Sequence, residues 1–209
     1  MDTVRNLQSF APWINDDIYL CIRKFLEHLQ FAQKKMNLTG SLNMDDIFEH
    51  LLESLAFFPL MKIYSYQSSL SLFDIGSGGG FPAIPLALSQ PDWEIVMSDS
   101  IRKKTTFLDW VKQSFQMKQV EVYHGRVEQF FHDYPHRKFD IVTARGVGKT
   151  TYLVDLASHL LKPMGFLVLW KSVSEVENEI GKGEFVKKNH YTMTSGKELV
   201  SLQWISEVA

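Results

Sequence analysis

The segment LFDIGSGGGFPAIP, residues 72–85, places an apolar run, a glycine-rich loop and the start of a helix in direct succession. Residues 72–75, which are apolar apart from Asp74, predict a buried strand. Four glycines in the five positions 76–80 let the backbone turn sharply and approach a ligand closely. Pro82 and Pro85 suit the first turn of a helix, where backbone N–H groups have no partner within the helix. This order of elements predicts a ligand site at the carboxyl edge of an α/β sheet.

The glycine loop differs from the loop that binds dinucleotides. The G-x-G-x-x-G fingerprint would need a third glycine at position 81, where Phe81 stands. The loop is similar instead to the nucleoside-binding loop of class I methyltransferases. The next predicted strand ends at Ser98-Asp99. Asp99 lies 21 residues after Gly78, near the spacing at which an acidic residue meets ribose hydroxyls. We therefore expect Gly78 and Asp99 to bind a nucleoside-type cofactor; a helix cap is the alternative role for Asp99.

Short apolar runs alternate with helical patterns from residue 70 onward. We predict strands at 70–75, 93–98, 119–124, 139–144 and 165–170, and helices at 82–89, 101–116 and 149–161. This alternation is typical of a mostly parallel sheet with helices on both faces. Two alternating runs that flank Ser195-Gly196 predict an antiparallel hairpin at the sheet edge. The predicted fold class is therefore α/β and Rossmann-like.

The first 62 residues follow a helical pattern. Apolar side chains spaced four and three apart line one face of a first helix, namely Ile18, Ile22, Phe25, Leu29, Ala32 and Met36. A second helix is predicted after Asn43, with Asp45 and Asp46 in its first turn and an apolar stripe of Ile47, Leu51 and Leu55. We therefore divide the chain into an N-terminal helical extension, residues 1–62, and a cofactor-binding domain, residues 63–209.

Composition limits the classes of protein to which the chain can belong. The 209 residues suit one domain with an extension, and the single cysteine, Cys21, excludes an intrachain disulfide framework and a cysteine-based zinc site. We recognise neither a secretory signal nor an apolar run of the ~18 residues that span a bilayer. The expectation is a soluble cytoplasmic protein with no membrane partner and no metal. The net charge of −2 and the pI near 6.4 weigh mildly against RNA binding, so any RNA contact must come from local basic clusters.

One basic cluster breaks a local rule of helix formation. Arg102-Lys103-Lys104 falls in the first turn of a predicted helix, where each cation is unfavourable by ~0.3–1 kcal/mol. Local rules are often broken where function compensates, so we interpret the triplet as a contact for RNA phosphates. A solvated basic face is the alternative. The other clusters are Lys34-Lys35, Arg137-Lys138 and Lys187-Lys188.

Residues 74–86 resemble the signature of the bacterial RsmG (GidB) methyltransferases. Further matching segments lie at 36–39, 50–54, 98–100, 102–103, 107–108, 126–128, 143–145 and 170–171. The resemblance implies N7 methylation of a guanine in the decoding-region loop of 16S rRNA. It also implies S-adenosylmethionine as the methyl donor and the small ribosomal subunit as the partner.

The same resemblance implies roles for individual residues. Gly76 and Phe81 would line the cofactor site, Val127 and Glu128 would hold the adenine end, and Arg145 would also touch the cofactor. The substrate-side candidates are Asn37, His50, Arg145 and Lys171.

The chain departs from the usual pattern of the family in two places. Ser172 follows Lys171 where the family often has glycine, and Lys197-Glu198 stands where it often has an arginine–histidine pair. A lysine keeps the charge of an arginine but loses its bidentate geometry. The lysine at position 197 therefore affects the expected RNA contact at that end of the chain and not the cofactor site.

Methylation at guanine N7 makes few demands on acid–base chemistry. The nitrogen carries a free lone pair, so no general base is required and none is assigned. The enzyme must align the nucleophile with the methyl group and exclude water.

Two alternatives to an rRNA methyltransferase remain open. The acidic pI favours a small-molecule methyltransferase of the same fold. A noncatalytic RNA- or ribosome-binding module is the other, and the intact glycine loop and Asp99 argue against it.

Overall fold

A seven-stranded sheet organises the protein, and the strand before the glycine loop lies near its centre. The computed structural model describes residues 7, 11–36, 43–61, 69–180, 185–193 and 195–204. The strands are β1 (Ser71–Ile75), β2 (Glu94–Asp99), β3 (Val120–His124), β4 (Phe139–Ala144), β5 (Leu161–Leu169), β6 (Phe185–Thr192) and β7 (Glu198–Trp204). The helices are α1 (Asp16–Met36), α2 (Met44–Leu55), α3 (Phe57–Met61), α4 (Ala83–Ser89), α5 (Arg102–Ser114), α6 (Val127–Asp133), α7 (Thr150–Leu160) and α8 (Val173–Glu179).

The strand order β3-β2-β1-β4-β5-β7-β6 determines where a ligand can bind. Within the part of the sheet formed by β1 to β5, all neighbouring strands are parallel to each other. The chain runs outward from β1 to β3 and then returns to place β4 on the other side of β1, so the order reverses between β1 and β4. Sheets of this kind bind ligands at the carboxyl ends of the strands beside such a reversal. The glycine loop lies at this point, and the predicted α/β fold is confirmed.

Helices cover both faces of the sheet, which explains why its strands are almost continuously apolar. Successive strand residues point to opposite faces. Leu72 and Ile95 therefore join one core cluster, with side chains of α1, α2, α4 and α5. Phe73 and Val96 join the other, with side chains of α6, α7 and α8.

The N-terminal helices share the first of these cores. Ile22 and Phe25 of α1 and Leu51 of α2 are fully buried in the same cluster as Ile84 of α4. Among the described side chains, the predicted apolar faces of both helices are confirmed, and α1 and α2 pack directly against the helix that follows the glycine loop. A boundary at residue 62 stays a prediction, since that position lies outside the described residues. No helix within the described ranges is long and apolar enough to cross a membrane.

The predicted C-terminal hairpin is present, with one refinement. β7 pairs antiparallel with both β5 and β6, so β6 forms this edge of the sheet and β3 forms the opposite one. Gly196 has a φ of 82° in the turn between the two strands. This turn brings residues 196–198 to the carboxyl edge of the parallel strands.

Two helices and one strand boundary differ from the sequence prediction. α6 and α8 were not predicted, because each has only seven residues and α8 buries only one of them, Val176. A single buried position leaves no apolar stripe to detect. β5 begins at Leu161 because α7 runs directly into it, and its ladder with β4 shifts register before pairing resumes at Phe166.

Candidate active site

The glycine loop after β1 is built from left-handed backbone conformations. Gly76, Gly78 and Gly80 have φ angles of 70°, 55° and 93°, which residues with a side chain rarely adopt. A Cβ on Gly76 would lie 2.6 Å from Val147 Cγ2, and one on Gly80 would lie 2.3 Å from Ile84 Cδ1. Glycine is therefore needed here for the turn and for close packing.

A cavity of about 930 Å³ lies in front of this loop. We call one wall the loop side, formed by the glycine loop and the segment after β2: Gly76, Ser77, Gly78, Gly79, Asp99, Ser100, Ile101 and Lys104. We call the other the α2 side, formed by residues of α2 and of the turns beside it: His50, Glu53, Phe81, Arg145, Trp170, Lys171 and Lys197. The structure thus brings seven of the predicted site residues to one cavity, namely His50, Gly76, Gly78, Phe81, Asp99, Arg145 and Lys171.

Asp99 joins the end of β2 to the glycine loop. Its Oδ2 accepts a hydrogen bond of 3.0 Å from the Gly78 backbone N–H, and its Oδ1 accepts one of 2.9 Å from Ile101 N–H. Lys104 Nζ lies 3.7 Å from Oδ2. The carboxylate lines the cavity at the position that the spacing from Gly78 predicts, and binding of ribose hydroxyls there stays a prediction.

Asp74 lies beneath the loop and was not predicted as a site residue. Its Oδ1 accepts a hydrogen bond of 2.7 Å from Thr143 Oγ1, whereas Oδ2 has no hydrogen-bond partner in the described part of the chain. Burial without a directly paired cation raises the pKa of this carboxyl to about 7, despite hydrogen bonds from Ser77 and Thr143. The signal in the sequence was a carboxylate inside an otherwise apolar strand, directly before the glycines.

Glu53 of α2 is the centre of the α2 side. Arg145, which follows β4, donates to its Oε2 through Nε at 2.8 Å and also through Nη2. Lys197 of the β6–β7 turn donates to Oε1, and Trp170 Nε1, after β5, donates to the backbone oxygen at 2.8 Å. His50 Nδ1 accepts from Arg145 Nη2. An arginine that follows an apolar strand can form a salt bridge within the protein. Arg145 forms such a salt bridge in this structure, with Glu53.

The charges around Glu53 keep it ionised. Burial raises the pKa of the carboxyl, but the contact with His50 and the charges and hydrogen bonds of Arg145 and Lys197 outweigh burial and hold it at about 2. Phe81 lies against the same cluster: the His50 ring centroid is 5.8 Å away and the Arg145 guanidinium carbon 5.9 Å. The α2 side therefore combines an aromatic ring with hydrogen-bond donors.

Lys171 is fixed by the short helix that follows it. Its Nζ donates to Glu175 and lies 3.4 Å from Glu179 Oε2. Burial lowers the pKa of this lysine, but the hydrogen bonds and charges of the two glutamates outweigh that effect and raise it. Glu179 also accepts a hydrogen bond of 2.7 Å from the Thr150 backbone N–H, so α8 links Lys171 to the start of α7.

The two departures from the family pattern meet at the start of α8. Ser172 Oγ accepts a hydrogen bond of 3.1 Å from Glu175 N–H, and Glu198 Oε2 accepts one of 2.8 Å from Val173 N–H. Both residues thus cap the same helix terminus. Lys197 turns away from this terminus to Glu49 and Glu53.

Of the three remaining predicted residues, two lie outside the cavity lining and one is not described. Asn37 is outside the described residues. Val127 and Glu128 begin α6 after β3 and do not belong to the cavity lining; Glu128 accepts a hydrogen bond of 2.7 Å from Tyr152 Oη. No group of three or more metal-ligating side chains occurs in the described ranges.

The basic triplet divides into two parts in the structure. Lys104 lines the cavity and pairs with Asp99, whereas Arg102 and Lys103 are exposed at the start of α5. Only the latter two are free to face a large ligand outside the cavity.

Solved structures share this fold. The chain is similar to precorrin-6y C5,15-methyltransferase from Geobacter metallireducens, with a TM-score of 0.56 and 16% identity, over 74% of this chain and 88% of that one. It is also similar to a mutant of MtNAS in complex with S-adenosylmethionine, with a TM-score of 0.63 and 10% identity, over 88% of this chain and 73% of that one. At these identities the likeness concerns the Rossmann-like class I methyltransferase fold alone.

Sequence relatives are more informative. The ribosomal RNA small subunit methyltransferase G of Oenococcus oeni is 36% identical over 180 residues, which cover 85% of this chain and 72% of the relative. The protein of the same name from Streptococcus uberis is 33% identical over 200 residues, which cover 91% of this chain and 84% of the relative. The family model GidB, rRNA small subunit methyltransferase G, matches residues 19–201. With a match that contains both walls of the cavity, this chain belongs to the rRNA small subunit methyltransferase G family.

Proposed function

We propose that this protein transfers a methyl group from S-adenosylmethionine to N7 of a guanine in the decoding-region loop of 16S rRNA. The observation that carries the proposal is the family match over residues 19–201. The cavity at the carboxyl edge of the sheet supports it, because its two walls differ in chemistry. We place the reaction in the cytoplasm, on the RNA of the small ribosomal subunit.

The loop side of the cavity suits S-adenosylmethionine. Asp99 offers a carboxylate at the spacing for ribose hydroxyls. Asp74 lies beneath the loop, outside the cavity lining, and its buried Oδ2 has no hydrogen-bond partner among the described residues. Gly76 and Gly78 let the backbone come close to a ligand. The cofactor has hydroxyl donors and positive charges, which match these carboxylates. When bound, it supplies the activated methyl group.

The α2 side of the cavity suits a guanine base. The Phe81 ring lies almost completely buried in this wall, with the Arg145 guanidinium over it, and Arg145, Lys171 and Lys197 line the cavity with hydrogen-bond donors. Guanine carries the O6 acceptor beside N7, so a donor to O6 can orient the base and leave the N7 lone pair free. These residues need only align the base and exclude water, because no proton has to leave N7 before attack.

A small-molecule methyltransferase of the same fold is the second candidate. The observation that favours it is the net charge of −2 with a pI near 6.4, because a small substrate needs no basic surface. A noncatalytic RNA- or ribosome-binding module would be separated from both enzymes by its failure to bind the cofactor.

The test uses purified protein, S-adenosylmethionine labelled on the methyl group, and small ribosomal subunits from a strain that lacks its own enzyme of this family. We expect label in 16S rRNA, and mass mapping should find 7-methylguanosine at one position in the decoding-region loop. Subunits from the wild-type strain should take up little label, because their site is already modified. Cofactor binding with no label in the RNA would favour the small-molecule alternative. Absence of cofactor binding would contradict both enzyme proposals.

A further inference from the structure

Glu53 is the residue at which four separate segments of the chain meet. Its side chain is almost completely buried and accepts hydrogen bonds from Arg145 and Lys197, and its backbone oxygen accepts one from Trp170. These partners lie 92, 144 and 117 residues away in sequence. Neither the glycine-loop motif nor the substrate-side candidates include Glu53, yet it holds two of the cations that line the α2 side.

The neighbouring Glu49 shows that this arrangement is specific to one position. Glu49 lies one helical turn earlier and also accepts a hydrogen bond from Lys197, at 3.1 Å. Its side chain is 44% exposed, against 6% for Glu53, and it makes no hydrogen bond or ion pair with Arg145 in the described structure. Glu49 therefore provides a matched comparison for Glu53.

The bonds to Glu53 leave one edge of the guanidinium for a ligand. Arg145 has five N–H donors in a planar fork. Glu53 takes two of them and His50 takes a third. The two donors on Nη1 have no acceptor among the described residues, and Arg145 lines the cavity. The salt bridge thus fixes the plane of the fork without using all of its donors.

Methylation at N7 would place a new positive charge near this arginine. The N7 lone pair forms the N–C bond, the S–C bond breaks, and its electron pair remains on sulfur. The positive charge therefore passes from sulfur to the guanine ring. A cation without a counter-charge beside the ring would oppose this change, whereas one matched by a fixed carboxylate opposes it far less.

We propose that Glu53 is a positioning residue of the active site, which holds Arg145 and Lys197 at the cavity wall and offsets their charge while N7 is methylated. The inference rests on the proposed function. Glu53 itself need not touch the base, since it acts through the guanidinium. This assignment is based on the burial of the Glu53 side chain and on its hydrogen bonds.

The first test compares Glu53→Gln with Glu49→Gln. Glutamine keeps the shape of the side chain and removes its charge. For Glu53→Gln we expect kcat on small subunits to fall at least ~10-fold, with the Kd for S-adenosylmethionine and the KM for subunits within about twofold of wild type. Glu49→Gln should keep kcat within about twofold. Equal losses in both variants, or an unchanged kcat in Glu53→Gln, would overturn the assignment.

The second test asks whether Glu53 acts through Arg145. In an Arg145→Gln background, adding Glu53→Gln should lower kcat by less than about twofold, because the pair is already broken. Losses that multiply would show that Glu53 acts independently of Arg145, against the proposal. If Glu53→Gln alone fails to fold, Glu53→Gln with Lys197→Gln restores the net charge of the cluster. That double variant should fold and retain the low kcat, because Arg145 still lacks its carboxylate.

A third measurement does not depend on the substrate. In wild-type protein the Nε–H proton of Arg145 should give a distinct NMR signal that exchanges slowly with water, because it is bonded to Glu53. Glu53→Gln should shift the signal and speed its exchange, while Glu49→Gln should not. If wild-type protein shows this signal but does not methylate 16S rRNA, the proposed function fails and the pairing stands. If the signal is insensitive to Glu53→Gln, the positioning role fails whatever the substrate.

Discussion

Asp74 and Glu53 are two buried carboxyl groups of the site whose pKa values move in opposite directions. Burial of Asp74 raises its pKa to about 7, because only hydroxyl donors contact it directly. Glu53 is nearly as buried, but its contacts with Arg145, Lys197 and His50 hold its pKa at about 2. The sign of each shift therefore follows from the charged partners and not from burial alone.

The first prediction concerns Asp74→Asn and the pH dependence of stability. The carboxyl pKa is about 7 in the folded state, against 3.8 for an ordinary aspartate such as that of the unfolded chain. Between these pH values the folded protein binds a proton that the unfolded chain has lost, so the free energy of unfolding falls as pH rises from about 4 to 7. Asp74→Asn removes this titration, and without cofactor the variant should be more stable at pH 7 by up to ~4 kcal/mol.

Urea unfolding at pH 4, 5.5 and 7 measures this difference. The exposed Asp92→Asn serves as the control and should follow the wild-type curve. The ionisation of Glu53 affects the free energy of unfolding in the opposite direction. Its stabilising contribution is present above the ordinary glutamate pKa of 4.5 and is lost as pH falls toward about 2. A constant difference between wild type and Asp74→Asn at all three pH values would contradict the raised pKa of Asp74.

The second prediction concerns Gly78→Asp. Gly78 has a φ of 55° and its N–H bonds Asp99 Oδ2 at 3.0 Å, so an aspartate here is strained and places a second carboxylate beside the first. We expect calorimetric binding of S-adenosylmethionine to be abolished. Gly148→Asp is the control, because Gly148 has a φ of 51° but does not line the cavity. Unchanged affinity in a folded Gly78→Asp variant would refute the role of the glycine loop.

The third prediction concerns Arg145 itself. Arg145→Ala should lose most of its turnover, and Arg145→Lys should recover only part of it, because a lysine cannot reproduce the bidentate fork. Removing one member of a buried ion pair costs ~3–5 kcal/mol when a charge is left uncompensated. Lys197 still contacts Glu53, so we expect a smaller loss, ~1–3 kcal/mol. Full methylation of isolated subunits by a stable Arg145→Ala variant would show that the residue is only structural.

At the scale of elements, the spacing of apolar residues predicted the helices and strands that have a regular apolar pattern. It did not predict features that depend on contacts between residues far apart in the sequence. The strand before the glycine loop and the apolar faces of α1 and α2 follow from spacing alone. α8 does not, because its sequence is polar apart from Val173 and Val176 and its terminus is capped partly by Glu198, 25 residues from Val173. The contact between Glu53 and Arg145, across 92 residues, likewise has no local signal. Asp99 was predictable because its distance from the glycines is a property of the fold itself.

The fourth prediction concerns the cap of α8. Glu198→Ala removes the acceptor for the Val173 N–H and should cost ~0.5–2 kcal/mol. Hydrogen exchange at the Val173 amide should become faster. Glu198→Gln keeps an acceptor oxygen, so we expect it to retain most of the protection. Unchanged exchange at Val173 in Glu198→Ala would show that the helix start does not depend on this cap.

At the scale of the whole molecule, charge is distributed so that an acidic protein can still present cations to RNA. The net charge is −2, and the cavity cations are already paired: Arg145 and Lys197 with Glu53, Lys171 with Glu175, and Lys104 with Asp99. Long-range attraction of RNA must therefore come from exposed cations at the rim. Arg102 and Lys103 are the exposed cations nearest in sequence to the cavity lining on the loop side.

The last prediction separates the two parts of the basic triplet. Each phosphate contact contributes ~0.9 to the slope of log affinity against log salt for duplex nucleic acid and ~0.7 for single strands. Neutralising Arg102 and Lys103 together should therefore lower the slope for 16S rRNA by ~1.4–1.8 if both contact phosphates. Cofactor affinity should not change, because neither side chain lines the cavity.

Lys104→Gln should behave differently, because Lys104 Nζ lies 3.7 Å from Asp99 in the cavity wall. This variant should alter the Kd for S-adenosylmethionine and leave the salt slope nearly unchanged. Filter binding of 16S rRNA at several salt concentrations, with calorimetry for the cofactor, measures both quantities. An unchanged slope in the Arg102, Lys103 double variant would identify the pair as a solvated basic face.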